Sequence, residues 1–428
     1  MKKCYKNCII LDGTENMEPY EGSIVVENGK IKEIGQVSEE FCEIIDLKGQ
    51  YVVPGLINMH VHIPGSGYPK KGGSDNKKLA QMIKKNAFTR WIGKKIMEEP
   101  MLKLELMSGV TTLRAVGGVG HFDSETRNKI MAHKLLGPRM LVCDEAVTIP
   151  GGHMEGTVAI GCKTKEEYIA AIDENVKAGV DWIKLMITGG VLDATKRGEP
   201  GEMKMTREQV QWCVDRAHEL HMRVCAHVES PMGVKVAVEC GVDSIEHGAL
   251  MDDETVELMK KTGKALVCTL SPAIPLAEFD PALTGASEVV VYNTKVLLDG
   301  IIDATKKCVK AGVTVGLGTD VGCPFVTHYD MWRELEYVHK LCGISRKQAL
   351  HMATEVNATI LNIQHKAGTL KAGKAADFIV VEKNPLEGFA NLRQPKMVVN
   401  MGHQYDNPVI KKNEICEEYL DKYMATLA

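Results

Sequence analysis

Val53-Pro54-Gly55-Leu56-Ile57-Asn58-Met59-His60-Val61-His62 decides how the rest of the chain is to be read. A proline and a glycine lead into apolar residues, the pattern of a buried strand entering a core. Alternate residues of a strand point the same way, so His60 and His62 share one face at its end. Two imidazoles converging there can hold a divalent metal through neutral ring nitrogens. Taken alone, the pair reads equally well as two hydrogen-bonded histidines at a strand mouth. The surrounding sequence separates the two readings.

Working outward, short apolar runs alternate with helical patterns, the signature of βα units on a parallel sheet. Candidate strands fall near 56–62, 110–116, 139–147, 181–187, 223–228, 243–247, 265–270 and 314–320. A helix is expected from Thr206, as its N-cap, to His221. Eight such units predict an α/β fold, a distorted (β/α)8 TIM barrel over residues 55–366. Both flanks are rich in β patterns. Gly22 to Ile34 is two alternating runs around Asn28-Gly29, a hairpin signal. Runs at 376–381 and 397–401 echo it, punctuated by Gly368, Gly373 and Pro385. Together they predict a small β-sandwich domain formed from both chain ends, residues 1–54 and 367–428. Residues 63–105, with Phe88, Trp91 and many lysines, exceed an ordinary βα loop. Such insertions act as lids, or pack as helix pairs or subunit contacts.

Composition narrows the function classes. The chain has 428 residues, 44% hydrophobic and 25% charged, an ordinary globular balance. A formal charge of −4 and the lack of any Lys/Arg block leave no face suited to nucleic acid. Asp12, Glu15 and Glu18 interrupt the N-terminal region before any long apolar stretch, so no secretory or membrane-spanning segment is expected. The 13 cysteines are odd in number and lie in apolar contexts such as Val224-Cys225-Ala226. That pattern fits reduced thiols and a cytoplasmic protein. Cys4 and Cys8 have no second closely spaced pair, which argues against a zinc ribbon.

Catalytic groups of a barrel gather at the C-terminal ends of its strands. Five candidate strands carry metal-capable residues: His60 and His62, then Lys184, His227, His247 and Asp320. Each has a bland explanation. Lys184 in an apolar strand could be salt-bridged, His227 and His247 could be core histidines, and Asp320 could cap the next helix. Independent explanations do not account for all six falling on one rim.

That set resembles the binuclear pattern of the amidohydrolase superfamily. The stretches Gly109-Val110-Thr111-Thr112-Leu113-Arg114, Ser244-Ile245-Glu246-His247-Gly248 and Gly368 through Asp377 extend the resemblance over most of the chain. Lys184 to Val191 and Pro150-Gly151-Gly152-His153 resemble the imidazolonepropionase-like branch, in particular its Xaa-Pro dipeptidases and Xaa-Arg/Lys carboxypeptidases. The resemblance implies two divalent metal ions, zinc being expected, and a CO2-derived carbamate on Lys184 bridging them. It places His60, His62 and Asp320 on one ion, and His227 and His247 on the other. A metal-bridging hydroxide would attack an amide carbonyl, with Asp320 carrying its proton to the leaving amine.

Around these ligands, His153 is expected to touch the substrate's carbonyl oxygen or carboxylate, and Arg114 to bind a carboxylate or form a structural salt bridge. Gly189 and Gly190 would let the backbone approach a ligand, or serve only a turn. Two departures from relatives stand out: Ala115 replaces a frequent aspartate, and Glu229 stands where dipeptidases often have tyrosine. A carboxylate at Glu229 is expected to attract a basic substrate side chain. The expected function is metal-dependent hydrolysis of a dipeptide or N-acyl amino acid by a homo-oligomer. Hydrolysis of a cyclic amide, carbamate or other non-peptide amide is the alternative. Lys184 argues against a deaminase, and a non-catalytic metal-binding protein is the remaining reading.

Overall fold

The computed structural model describes residues 2–69 and 76–427. Its first strands are β1 (Lys2–Ile10), β2 (Tyr20–Glu27), β3 (Lys30–Gly35), β4 (Glu43–Asp46) and β5 (Tyr51–Pro54). Asn28 and Gly29 both take positive φ, 51° and 75°, the backbone that a two-residue hairpin turn between β2 and β3 requires.

Ten strands follow, each paired in parallel. β6 (Leu56–Val61), β7 (Val110–Ala115) and β8 (Arg139–Val142) form one sheet. β9 (Ala146–Thr148), β10 (Ala159–Gly161), β11 (Trp182–Met186), β12 (Arg223–Val228), β13 (Ser244–His247), β14 (Ala265–Cys268) and β15 (Val315–Leu317) form a seven-stranded sheet in the order β10-β9-β11-β12-β13-β14-β15. The two sheets meet at both margins. Asp181 N–H donates to Val142 O at 2.8 Å, and Asp320 N–H and His62 N–H donate to His60 O and Val321 O at 2.9 and 3.0 Å. Every residue of β6, β7 and β11 is buried, as expected of parallel strands covered on both faces.

The chain closes with β16 (Phe378–Val381), β17 (Met397–Asn400) and β18 (His403–Asp406). β16 pairs antiparallel with β5, so both chain ends share one eight-stranded mixed sheet. Tyr5 and Phe378 meet edge to face at 5.0 Å in its apolar layer.

The expected helix is present as Arg207–Glu219, where Thr206 Oγ1 accepts from Gln209 N–H and Gln209 Oε1 from Thr206 N–H. The expected strand at 139–147 is divided. Asp144 takes φ 53°, and its carboxylate accepts from Ser124 N–H at 2.9 Å and faces His121 Nδ1 at 3.1 Å. That local capping interrupts the strand between β8 and β9. Within the insertion, Asn76–Lys84, Ala87–Gly93 and Glu99–Met107 are helices, the last two joined by a π turn at Lys94–Glu98. The insertion's residues 70–75 lie outside the described residues. Among the described residues, no helix is long and apolar enough to cross a membrane.

Candidate metal centre and active site

Six side chains from five strand ends converge where the two parallel sheets meet. Asp320 Oδ1 lies 3.4 Å from His60 Nε2 and 3.5 Å from His62 Nε2. The His247 ring lies 4.6 Å from that of His60 and 4.8 Å from that of His227, centroid to centroid. His247 and Asp320 both adopt positive φ, 64° and 56°, which turns them off the strand direction at β13 and beyond β15. Lys184 is fully buried, and its Nζ has no hydrogen-bond partner among the described residues.

Each histidine has one ring nitrogen already engaged. His60 Nδ1 meets Glu246 Oε2 at 2.8 Å, and His62 Nδ1 meets Gly117 O at 3.1 Å. His247 Nδ1 meets Thr269 Oγ1 at 2.7 Å, and His227 Nε2 meets Gly189 O at 3.2 Å. All four partners can accept, so the engaged nitrogen donates and the other presents a lone pair. Burial, reinforced for His60, His62 and His247 by the Lys184 charge, lowers these histidines below the ordinary imidazole value, His62 to about 4. For His227 burial is again the largest cause, followed by neighbouring imidazoles. Neutral, pre-oriented imidazoles are the donor set that a divalent cation requires. A buried amine without a partner is costly unless its chemistry changes or an ion pairs with it. Two groups of three ligand atoms lie within 4.8 Å of one another: His60, His62 and Asp320, and His227, Glu229 and His247. The residues present therefore fit divalent metal.

Beside them opens a cavity lined by His153, Glu229, Thr269, Leu276, Leu297 and Ile301 among others. His153 faces it, stacked on His227 at 4.3 Å and 15°. Its Nδ1 lies 2.5 Å from Asp193 Oδ2. Burial raises the Asp193 carboxyl, but His153 and Gly190 N–H outweigh it and hold the group below its ordinary value. Burial pushes Asp320 up to about 7 against the opposing Lys184 charge, and Glu229 up to about 8 against the Val191 N–H bond.

The sequence signature of the amidohydrolase family matches residues 51–404. The chain belongs to that family. A solved structure from Bifidobacterium longum assigned as a prolidase superimposes on this amidohydrolase with a TM-score of 0.85 at 32% identity, covering 98% of each chain. A Xaa-Pro dipeptidase crystallised with methionine in its active site gives 0.82 at 30% identity, covering 95% of this chain and all of that one. Ochratoxinase from Aspergillus niger is 27% identical over 377 residues, 82% of this chain and 74% of that enzyme. These neighbours match the prolidase-like branch expected from residues 150–153 and 184–191.

Three further expected site residues of this amidohydrolase have these positions. Arg114 does not line the cavity: it is fully buried, donating to Glu246 Oε1 at 2.6 Å, Met59 O at 2.9 Å and Ser244 Oγ at 3.1 Å, with Trp182 beneath it. Its ion pair with Glu246 is the structural salt bridge, the second of the two roles expected for it. Gly190 lines the cavity, but a Cβ there would lie 2.5 Å from His153 Cε1; the space that it leaves belongs to His153. Gly189 does not line that cavity and contributes its carbonyl to His227. Sequence reasoning gave no role to Glu246, Asp193 or Thr269. A glutamate within the apolar run Ser244-Ile245-Glu246 is as unusual as Lys184, and the same logic would have singled it out.

Proposed function

We propose that the two parallel sheets are parts of one distorted (β/α)8 barrel, residues 55–366, capped by a small β-sandwich from residues 1–54 and 367–428. On it sits a metal-dependent hydrolase of peptide-like amides. The observation that carries this reading is the buried, unpartnered Lys184 amino group amid four oriented imidazoles and Asp320. Carboxylation of Lys184 by CO2 converts an unsatisfied amine into an anion able to ligate two ions. His60, His62 and Asp320 would hold one ion, His227 and His247 the other, with zinc the expected metal. When bound, such ions supply Lewis acidity that polarises a carbonyl and activates water.

The chain's own groups do the rest. Asp320 takes a proton at its carboxylate and returns it to the leaving nitrogen. His153, its ring held in place by Asp193, is positioned to contact the substrate. Glu246 and Thr269 hold the tautomers of His60 and His247. The likeness to a prolidase and a Xaa-Pro dipeptidase supports a dipeptide or N-acyl amino acid as substrate. The likeness to ochratoxinase keeps the non-peptide amide as the second reading. All 13 cysteines are unpaired, which supports a cytoplasmic setting, and we take the working form to be a homo-oligomer.

The test is amino-acid release from a dipeptide and N-acyl-amino-acid library, by protein reconstituted with zinc and bicarbonate against a metal-free control. Zinc-dependent release from a definable set is expected. Silence across the library, with two ions bound per chain, transfers the activity to cyclic or non-peptide amides.

A further inference from the structure

The cavity beside the histidines is lined by two unlike kinds of side chain. One kind is polar, with His153, His227, His247, Glu229 and Asp320; the other is apolar, with Leu276, Leu297, Ile301 and the half-exposed Leu192. Among the described residues no lysine or arginine lines it. Glu229 is 8% exposed, its Oε2 accepts from Val191 N–H at 2.6 Å, and no cationic side chain of the described residues pairs with it. A buried carboxylate at the edge of a cavity is satisfied by a cation or donor that enters. Of the side chains that line the cavity, Glu229 and Asp320 would meet an entering substrate carboxylate with like charge, and no lysine or arginine would pair with it there.

We propose that this cavity takes the acyl half of the substrate as a hydrophobic α-amino acid with a free amino group. The ammonium sits on Glu229, the side chain lies against Leu276, Leu297 and Ile301, and the scissile carbonyl faces His227 and His247. The inference rests on the hydrolase reading above and names its substrate class. Reach favours an α-ammonium over a basic side chain. Glu229 has a carboxylate oxygen within 4.8 Å of ring nitrogens of His227 and His247, and an α-ammonium lies two bonds from its carbonyl carbon. An extended lysine or arginine side chain carries its charge well beyond a carboxylate so close to the histidines.

Binding of the acyl product tests this without turnover. Zinc-loaded protein in bicarbonate is titrated calorimetrically with L-leucine, glycine, 4-methylpentanoate and N-acetyl-L-leucine. Leucine is expected to bind at least about tenfold more tightly than glycine, the order expected for burying its side chain. It should exceed 4-methylpentanoate and N-acetyl-L-leucine by a similar factor. Glu229→Gln keeps an acceptor for Val191 N–H and should erase the advantage of leucine over 4-methylpentanoate, with metal content by elemental analysis unchanged. Leu276→Trp should erase the advantage over glycine. Equal binding of leucine and 4-methylpentanoate overturns the proposal, and so does loss of an ion in Glu229→Gln, which would make Glu229 a metal ligand. Leucine selectivity in a protein that hydrolyses no amide would uphold this site and remove the hydrolase reading instead.

Discussion

Replacing Arg114 with methionine is the most informative perturbation, because it separates a positioning role from a substrate-binding one. The guanidinium is fully buried and gives three hydrogen bonds, the shortest to Glu246. Glu246 is fully buried too, and passes the interaction to His60 Nδ1 at 2.8 Å. Methionine fills much of the volume but strands the carboxylate, leaving it only the Ser244 hydroxyl and the His60 ring. Breaking a buried pair by removing one partner costs about 3–5 kcal/mol. For a chain of 428 residues that lowers the melting temperature by about 3–5 °C if it unfolds as one unit. With Glu246 no longer anchored, the His60 ring that it holds loses its fixed orientation, and zinc binding should weaken by up to about 10–100-fold, the usual effect of disturbing the group behind a metal ligand. Urea denaturation of metal-free protein reads the first effect, and chelator competition the second. Adding Glu246→Gln should recover part of the stability but none of the zinc affinity, since a neutral amide leaves no stranded charge. If Arg114→Met costs less than about 1 kcal/mol and zinc affinity is unchanged, the Arg114–Glu246–His60 relay does not order the site.

Lys184→Ala should lose one of two bound ions and most activity, with partial rescue by a short carboxylic acid; full activity would remove its bridging role. Asp193→Ala should lower kcat while leaving the zinc content intact, because His153 loses the acceptor that fixes its Nδ1; unchanged kinetics would dissociate His153 from the reaction. Gly318→Ala would place a Cβ 2.7 Å from His60 Cβ, so about 1–3 kcal/mol of stability and some zinc affinity should be lost; wild-type values would mean that β6 gives way freely. Burial pushes Glu334 up to about 7, although Leu270 and Ser271 donate to it. Its folded value exceeds its unfolded one, so stability present below about pH 4.5 is lost as pH rises toward 7. Glu334→Gln should therefore gain about 2 kcal/mol relative to wild type between pH 5 and pH 8 in urea melts; a relative loss would refute the sign.

The strand ends were legible because parallel strands covered on both faces are short apolar runs, and metal-capable side chains interrupt such runs visibly. β12 runs Arg223–Val228, matching its expected bounds, and β6 ends within one residue of His62. What periodicity could not carry was the local departure from it. Asp144 breaks a strand by capping a neighbouring turn, which depends on Ser124 arriving from another element. Glu246 and His247 are adjacent, so strict alternation sends them to opposite faces; the positive φ of His247 lets both serve the site. Arg114 was legible as a charge in a strand but not in its role, because its partner lies 132 residues away.

The strand β5 joins the two ends of the chain and, through Gly55 alone, runs into the strand that carries His60 and His62. During synthesis, β5 emerges more than three hundred residues before β16, the strand that covers its edge. Until then it is an open edge of Tyr51-Val52-Val53, ready to pair with another nascent chain. Chaperone demand, and losses to aggregation during overexpression, should therefore track the wait for β16 more closely than the stability of the finished fold.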